Sequence, residues 1–216
     1  MLRENFQKYL NESFPGSSID TEHSIGGKIG LRFELGDDFK NGTEERIENS
    51  VSKAKVLFNN AFDKSDKIWF LCYNYLGPDL FGEPTDYFYQ LFPNNIFLSF
   101  YHSKETVTTS FFETNEHGES IPEQTEALIT IGLLQINQIK IDPIFRGIAN
   151  REMGFKPDIS QSVFFFDFQS DKGFHMYDDR GCFVWSNTPK EIKTLFEERK
   201  DWLVDDCKEL VAKYFK

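Results

Sequence analysis

The residues best suited to chemistry lie close together in the segment HMYDDRGC, residues 175–182. His175 and Tyr177 are two positions apart, and side chains at that spacing project from the same face of a strand. An imidazole beside a phenol can take part in acid–base chemistry. A strand histidine that only packs against its neighbours gives the same pattern, so both interpretations stay open.

The next four residues, Asp178, Asp179, Arg180 and Gly181, have the composition of a tight hairpin turn. Aspartate side chains accept hydrogen bonds from the turn backbone, and we expect Gly181 to adopt the positive φ that such turns need. We also expect Asp179 to lie in a solvent-exposed turn. A functional alternative stays open, in which a carboxylate acts as a base or metal ligand and Arg180 grips an anionic group.

Motifs for metal, nucleotide or nucleophilic chemistry are missing from the sequence. Gly26, Gly27 and Gly30 precede a strand and lack the G-K-[ST] ending of a phosphate loop. No serine has the G-x-S-x-G context, and Cys182 has the apolar neighbours of a buried filler. The histidines outside the segment, which form no H-x-x-x-H or H-x-H pair, are His23, His102 and His117. We predict no catalytic residue, no metal ligand and no cofactor.

The composition indicates the cellular compartment of the protein and excludes some classes of partner. The chain has 216 residues, 35 acidic against 24 basic, and its net charge of -11 repels nucleic acid and anionic membrane surfaces. Three cysteines with no C-x-x-C pair favour reduced thiols. The longest apolar stretch, at 127–136, is about half a membrane span. We therefore expect an acidic, soluble, cytoplasmic protein with no nucleic-acid or membrane partner.

The elements that must position these residues follow from hydrophobic spacing. The first ten residues show helical spacing, and alternation over 28–35 predicts a strand. An apolar stripe from 47 to 61 predicts a helix capped by Thr43 or Asn41, and the sequence of 67–75 predicts a buried strand.

Later segments continue in hairpin-spaced runs. We predict a hairpin of 95–102 and 106–114 around the polar residues 103–105, a strand in 126–136, and a helix capped by Asp142 that ends near Gly154. Three strands follow at 162–169, 173–178 and 181–187, then a helix with a Thr188 capping box and an amphipathic C-terminal stretch. The pattern predicts a single α+β domain over 1–216 with a largely antiparallel sheet and packed N-terminal and C-terminal helices.

A loop at 76–95 is unusually rich in rings. Its aromatic residues are Phe81, Tyr87, Phe88, Tyr89 and Phe92. Phe81, Tyr87 and Tyr89 are candidates for anchoring a protein partner, because aromatic side chains dominate interface hot spots. The alternative is that the rings fold back onto the core.

The run SVFFFDFQSDKGFHMYDDRGCFVWS, with GLRFELG at 30–36 and SDKIWFLCYNYL at 65–76, resembles an uncharacterised bacterial family, the Domain of Unknown Function 3885 family. Its most specific part is YDDRG, from Tyr177 to Gly181. The resemblance implies a small bacterial domain with no assigned activity and supplies no catalytic residues.

Two functional hypotheses remain. The first is a non-enzymatic protein-binding domain, of an immunity or regulatory type, whose partner has a basic surface. The alternative is a small-molecule enzyme or ligand binder that uses His175, Tyr177, Asp178, Asp179 and Arg180 around a pocket.

Overall fold

One antiparallel sheet forms the centre of the protein in this computed structural model, which describes residues 1–62, 66–114 and 119–215, with the backbone alone for 113 and 114. His117 lies outside the described residues. The seven strands are β1 (Ile29–Glu34), β2 (Lys67–Tyr75), β3 (Tyr101–Thr114), β4 (Ser120–Gln135), β5 (Ser162–Asp167), β6 (Lys172–Met176) and β7 (Gly181–Ser186). Their order across the sheet is β1-β7-β6-β5-β2-β4-β3, and each neighbouring pair is antiparallel.

Helices flank this sheet at both ends of the chain, so the predicted α+β class is confirmed. Those in the described residues are α1 (Leu2–Ser13), α2 (Glu44–Ala61), α3 (Tyr87–Gln90), α4 (Asn94–Phe97), α5 (Ile141–Met153), α6 (Pro189–Glu198) and α7 (Asp205–Ala212). Of the two predicted caps of α2, Thr43 is the one that the structure shows, because its hydroxyl accepts a hydrogen bond from the Arg46 backbone N–H at 3.4 Å.

Alternation along the strands gives the sheet two apolar faces. On the first face, residues such as Phe33, Phe165 and Phe174 belong to one core cluster with Phe58 of α2 and Phe145 of α5. On the second face, a separate cluster joins strand residues to the N-terminal helix. Its largest members are Phe6, Phe14, Trp69, Tyr73, Phe164, Phe166 and Trp185.

The second face is covered unevenly. Helix α1 packs on β2, β4 and β5 through side chains such as Phe6 and Leu10. Where β6, β7 and β1 follow, the same face carries His175, Phe183 and Gly30, because their strand neighbours point into the first core. Phe183 is 36% exposed, so this half of the second face is open.

The hairpin predicted around 103–105 is wrong. Residues 94–97 form α4, and 103–105 lie inside β3, which pairs with β4 instead. The polar run does not mark a turn, because β3 is an edge strand and its polar side chains face solvent or charged neighbours. Lys104 pairs with Glu126 of β4 at 2.9 Å.

Two predicted helix caps differ in detail. Helix α5 begins at Ile141, so Asp142 lies in its first turn and not at its cap, while Gly154 ends the helix at φ +75° as expected. Helix α6 has no side-chain cap, because the Thr188 hydroxyl donates to Asp171 at 2.8 Å. The predicted capping box is therefore wrong.

Candidate ligand site

A cavity of about 420 Å³ lies on the open half of the second face. The sheet contributes rings to it, and the segment 22–27 forms the opposite wall together with Ser110 of β3. The sheet residues that line it are Gly30, Phe164, His175, Tyr177, Phe183 and Trp185. The cavity is thus ring-lined, with a small number of polar groups.

His175 presents one free nitrogen in this cavity. Its Nδ1 lies 3.0 Å from the carbonyl oxygen of Val163, and since a carbonyl only accepts, Nδ1 carries the proton. The ring stacks on Phe164 with centroids 4.0 Å apart and planes 12° apart. Burial lowers the pKa of His175 and outweighs the Val163 hydrogen bond and the charge of Glu22, which raise it. The neutral ring leaves Nε2 as an acceptor with no partner among the described residues.

Glu22 supplies a buried carboxylate to the same cavity, although it is only 2% exposed. Its Oε2 accepts hydrogen bonds from the Tyr75 hydroxyl at 2.5 Å and from the Ser110 backbone N–H at 2.9 Å. Burial, followed by the charge of Glu22, raises the pKa of Tyr75, so this phenol stays protonated and donates. No described residue makes a hydrogen bond to Oε1 or an ion pair with Glu22.

Arg32 lies at the rim of the cavity. Its Nε donates to the Tyr177 hydroxyl at 3.1 Å, and its guanidinium carbon lies 5.6 Å from the Tyr177 ring centroid and 5.9 Å from that of Phe183. Burial raises the pKa of Tyr177 against the opposing effect of Arg32. Within the described residues, Arg32 has no carboxylate partner.

Asp178 and Arg180 form an ion pair within the turn, and Arg180 also donates to Glu152 of α5 at 3.3 Å. One Asp178 oxygen accepts from the Arg180 backbone N–H at 2.7 Å, and the other accepts from the Arg180 guanidinium at the same distance. Asp178 is 3% exposed. The Arg180 carbonyl oxygen accepts from the Leu35 backbone N–H at 2.8 Å, which ties the turn to the end of β1.

Asp179 points into the protein, and the expectation of a solvent-exposed turn is wrong. The residue is completely buried, its Oδ2 accepts from Arg46 Nε of α2, and its carbonyl oxygen accepts from the Ser50 hydroxyl at 2.6 Å. Arg46 also donates to the Phe39 carbonyl oxygen at 2.8 Å. The buried ion pair fastens the turn to α2.

Gly181 is needed for a different reason from the one predicted. It does not adopt a positive φ, so that prediction is wrong. A Cβ at this position would lie 2.1 Å from the Tyr177 hydroxyl oxygen and 2.8 Å from the Phe33 carbonyl oxygen. Only glycine lets β7 begin this close to Tyr177.

The whole arrangement, from α1 to the start of α7, coincides with one family model. The match covers residues 6–207, and the model is described as a domain of unknown function, DUF3885. The chain belongs to the DUF3885 family. This confirms the resemblance seen in the sequence, while no curated protein and no solved structure matches the chain.

In this DUF3885 member only part of the six-residue stretch from His175 to Arg180 lines the cavity. His175 and Tyr177 meet in the cavity, whereas Asp178, Asp179 and Arg180 do not line it. Sequence reasoning missed Glu22, which no local pattern places near residue 175. It also missed Gly30 and Arg32, although their positions on the polar side of the alternation in β1 signalled a shared face.

Most aromatic residues of the loop at 76–95 fold back onto the core, which is the alternative considered from the sequence. Phe88 and Phe92 are buried against Phe70, with centroid distances of 5.7 and 5.8 Å, and the Tyr89 hydroxyl oxygen lies 3.4 Å from Thr130 Oγ1. Tyr87 packs partly buried against the same core. Phe81, at 46% exposure, is the one ring of the five classed as exposed.

The described residues contain no group of three or more His, Cys, Asp or Glu side chains placed to hold a metal ion. Over the same ranges, no helix combines the length and the apolar character that a membrane crossing requires.

Proposed function

We propose that this protein binds a small organic molecule in the cavity between the open half of the sheet and the segment 22–27. One observation carries the proposal. The imidazole of His175 and the buried carboxylate of Glu22 line the same cavity, whose other walls include aromatic side chains. The cavity volume of about 420 Å³ lies within the range of roughly 300–1,000 Å³ that is usual for ligand pockets.

The hydrogen-bonding capacity of these polar groups supports the proposal. His175 Nε2 and Glu22 Oε1 both lack a hydrogen-bond partner among the described residues, and both residues line a cavity that a ligand can enter. Such convergence of unpaired polar groups with apolar rings is typical of binding sites.

The protein-binding hypothesis stays a prediction, with less support than before. Of the rings that suggested an anchoring loop, Phe88 and Phe92 are in the core and Tyr87 and Tyr89 pack against it. Phe81 is still exposed and can contact a partner protein. The net charge of -11 favours a partner with a basic surface.

The test narrows the cavity and leaves its walls in place. A Cβ built at Gly30 has no heavy atom within 4 Å, so Gly30→Val places its methyl groups in open cavity space. Valine also suits a strand better than glycine. Gly77→Val is the matched control, because Gly77 has equally open surroundings and does not line the cavity.

We would titrate wild type and both variants with 2-phenylethanol, 2-phenylethylamine and phenylacetate, and follow backbone amide shifts by NMR. Wild type and Gly77→Val should show saturable shifts for at least one compound at residues around the cavity, and Gly30→Val should bind the same compound more weakly. The proposal is overturned if none of the compounds gives saturable shifts in wild type, or if Gly30→Val binds as wild type does.

A further inference from the structure

Among the described residues no cationic side chain pairs with the buried carboxyl group of Glu22, and this feature bears on which ligand the cavity accepts. Its hydrogen-bond donors are a phenol and a backbone N–H, and within the described residues no cation pairs with it. Charged groups inside proteins are normally paired or hydrogen-bonded. Because Glu22 lines the cavity, a ligand can supply a cation that the described residues do not supply.

Two histidines of the cavity also offer acceptor atoms to a ligand. The Nδ1 atoms of His175 and His23 face the carbonyl oxygens of Val163 and Thr109, at 3.0 and 3.1 Å. Each ring, when neutral, therefore keeps its Nε2 as an acceptor. A ligand that fits these groups carries an N–H or O–H donor.

The apolar lining is compatible with a positive charge. Tyr177, Phe183, Phe164 and Trp185 all contribute rings to the cavity. Aromatic faces attract cations within about 6 Å of the ring centroid. The charge of -11 on the whole chain adds a long-range attraction in the same direction.

We infer that the ligand of this cavity is a small organic cation, a protonated amine carried on an apolar body. This rests on the proposed function and names its ligand class. The ammonium group would pair with Glu22 Oε1, donate to His175 Nε2 and lie among the rings, while the apolar body fills the remaining volume. Arg32 at the rim opposes the cation, because its own charge lies over Tyr177 and Phe183.

Three probes of nearly equal shape test the inference: 2-phenylethylamine is a cation, 2-phenylethanol is neutral, and phenylacetate is an anion. Dissociation constants would be measured by calorimetry at low salt. Wild type should bind the amine most tightly and the carboxylate most weakly, with the two differing by about tenfold or more, which corresponds to about 1.4 kcal/mol.

Two variants assign that preference to its residues. Glu22→Gln keeps the side-chain shape and should remove most of the advantage of the amine while leaving the affinity for the alcohol within about twofold. Arg32→Gln removes the opposing charge and should tighten amine binding several-fold. Since Arg32 is exposed, that variant remains informative even if Glu22→Gln fails to fold.

The outcomes separate the two proposals. If the alcohol binds and Gly30→Val weakens its binding, but the amine binds no better than the alcohol, the cavity is a ligand site and the cation inference is overturned. If phenylacetate binds more tightly than the amine, the inference is also overturned, and Arg32 at the rim is then the group that attracts the ligand. Absence of binding by all the probes overturns the proposed function itself.

Discussion

At the scale of single residues, the aspartates of the YDDRG turn hold the structure together. Asp178 accepts a hydrogen bond from Arg180 within the turn, and Asp179 accepts one from Arg46 on α2. Arg46 also occupies the space above Gly36, where a Cβ would lie 2.3 Å from the guanidinium. The arrangement joins the β6–β7 turn to α2, and it leaves His175 and Tyr177 to face the cavity.

Replacing Asp179 should therefore be costly. Asp179→Ala leaves Arg46 as an uncompensated buried charge, because Arg46 is 8% exposed, and we expect the free energy of unfolding to fall by about 3–5 kcal/mol. Urea unfolding followed by circular dichroism measures the change.

The control for this prediction removes both charges. Arg46→Met combined with Asp179→Leu should recover most of the lost stability, since an apolar pair replaces the ion pair without leaving a buried charge. A loss of only about 1 kcal/mol in Asp179→Ala would show that the pair contributes no more than an exposed one.

At the scale of elements, the cavity exists because α1 is too small to cover the second face. A helix of 12 residues is about 18 Å long and about 10 Å wide. Seven strands at about 4.8 Å spacing make a sheet nearly 30 Å across. The segment 22–27 covers the remaining strands only in part, and the space left beneath it is the cavity.

The docking of α1 can be tested on its two faces. Leu10 is completely buried against the second face, so Leu10→Ala should reduce the free energy of unfolding by about 2–5 kcal/mol. Lys8 is 75% exposed on the same helix, and Lys8→Ala should change stability by less than about 0.5 kcal/mol. Equal urea midpoints for the two variants would mean that α1 adds little to the fold.

At the scale of the whole molecule, the three cysteines are free thiols, in line with the reduced thiols predicted from the sequence, and they differ in accessibility. Cys72 and Cys182 are completely buried on the first face, while Cys207 at the start of α7 is partly exposed. Burial raises the pKa of both buried thiols, which keeps them in the unreactive protonated form.

Thiol labelling should divide the cysteines accordingly. In the native protein we expect a disulfide reagent to modify Cys207 and to leave Cys72 and Cys182 unmodified, and full reaction should follow in denaturant. Mass spectrometry of labelled peptides identifies the sites. Rapid native labelling of Cys182 would contradict the buried position of β7.

The sequence by itself determined the elements whose side chains repeat with a clear period. Alternation over 28–35 predicted β1, the apolar run at 67–75 predicted β2, and the stripe from 47 to 61 predicted α2. These signals are local, because each residue reports which side of its own element is buried. The class of the fold and the membership of the family followed from them and from YDDRG.

Only the tertiary structure decided what those elements place together. The polar residues 103–105 resemble a turn locally, and their position on an edge strand follows from pairing with β4. Asp179 looks like an exposed turn residue until Arg46, far away in the chain, is packed above it. Glu22 and His175 share a cavity because α1 leaves part of the sheet open, and no local period records which distant side chains meet there.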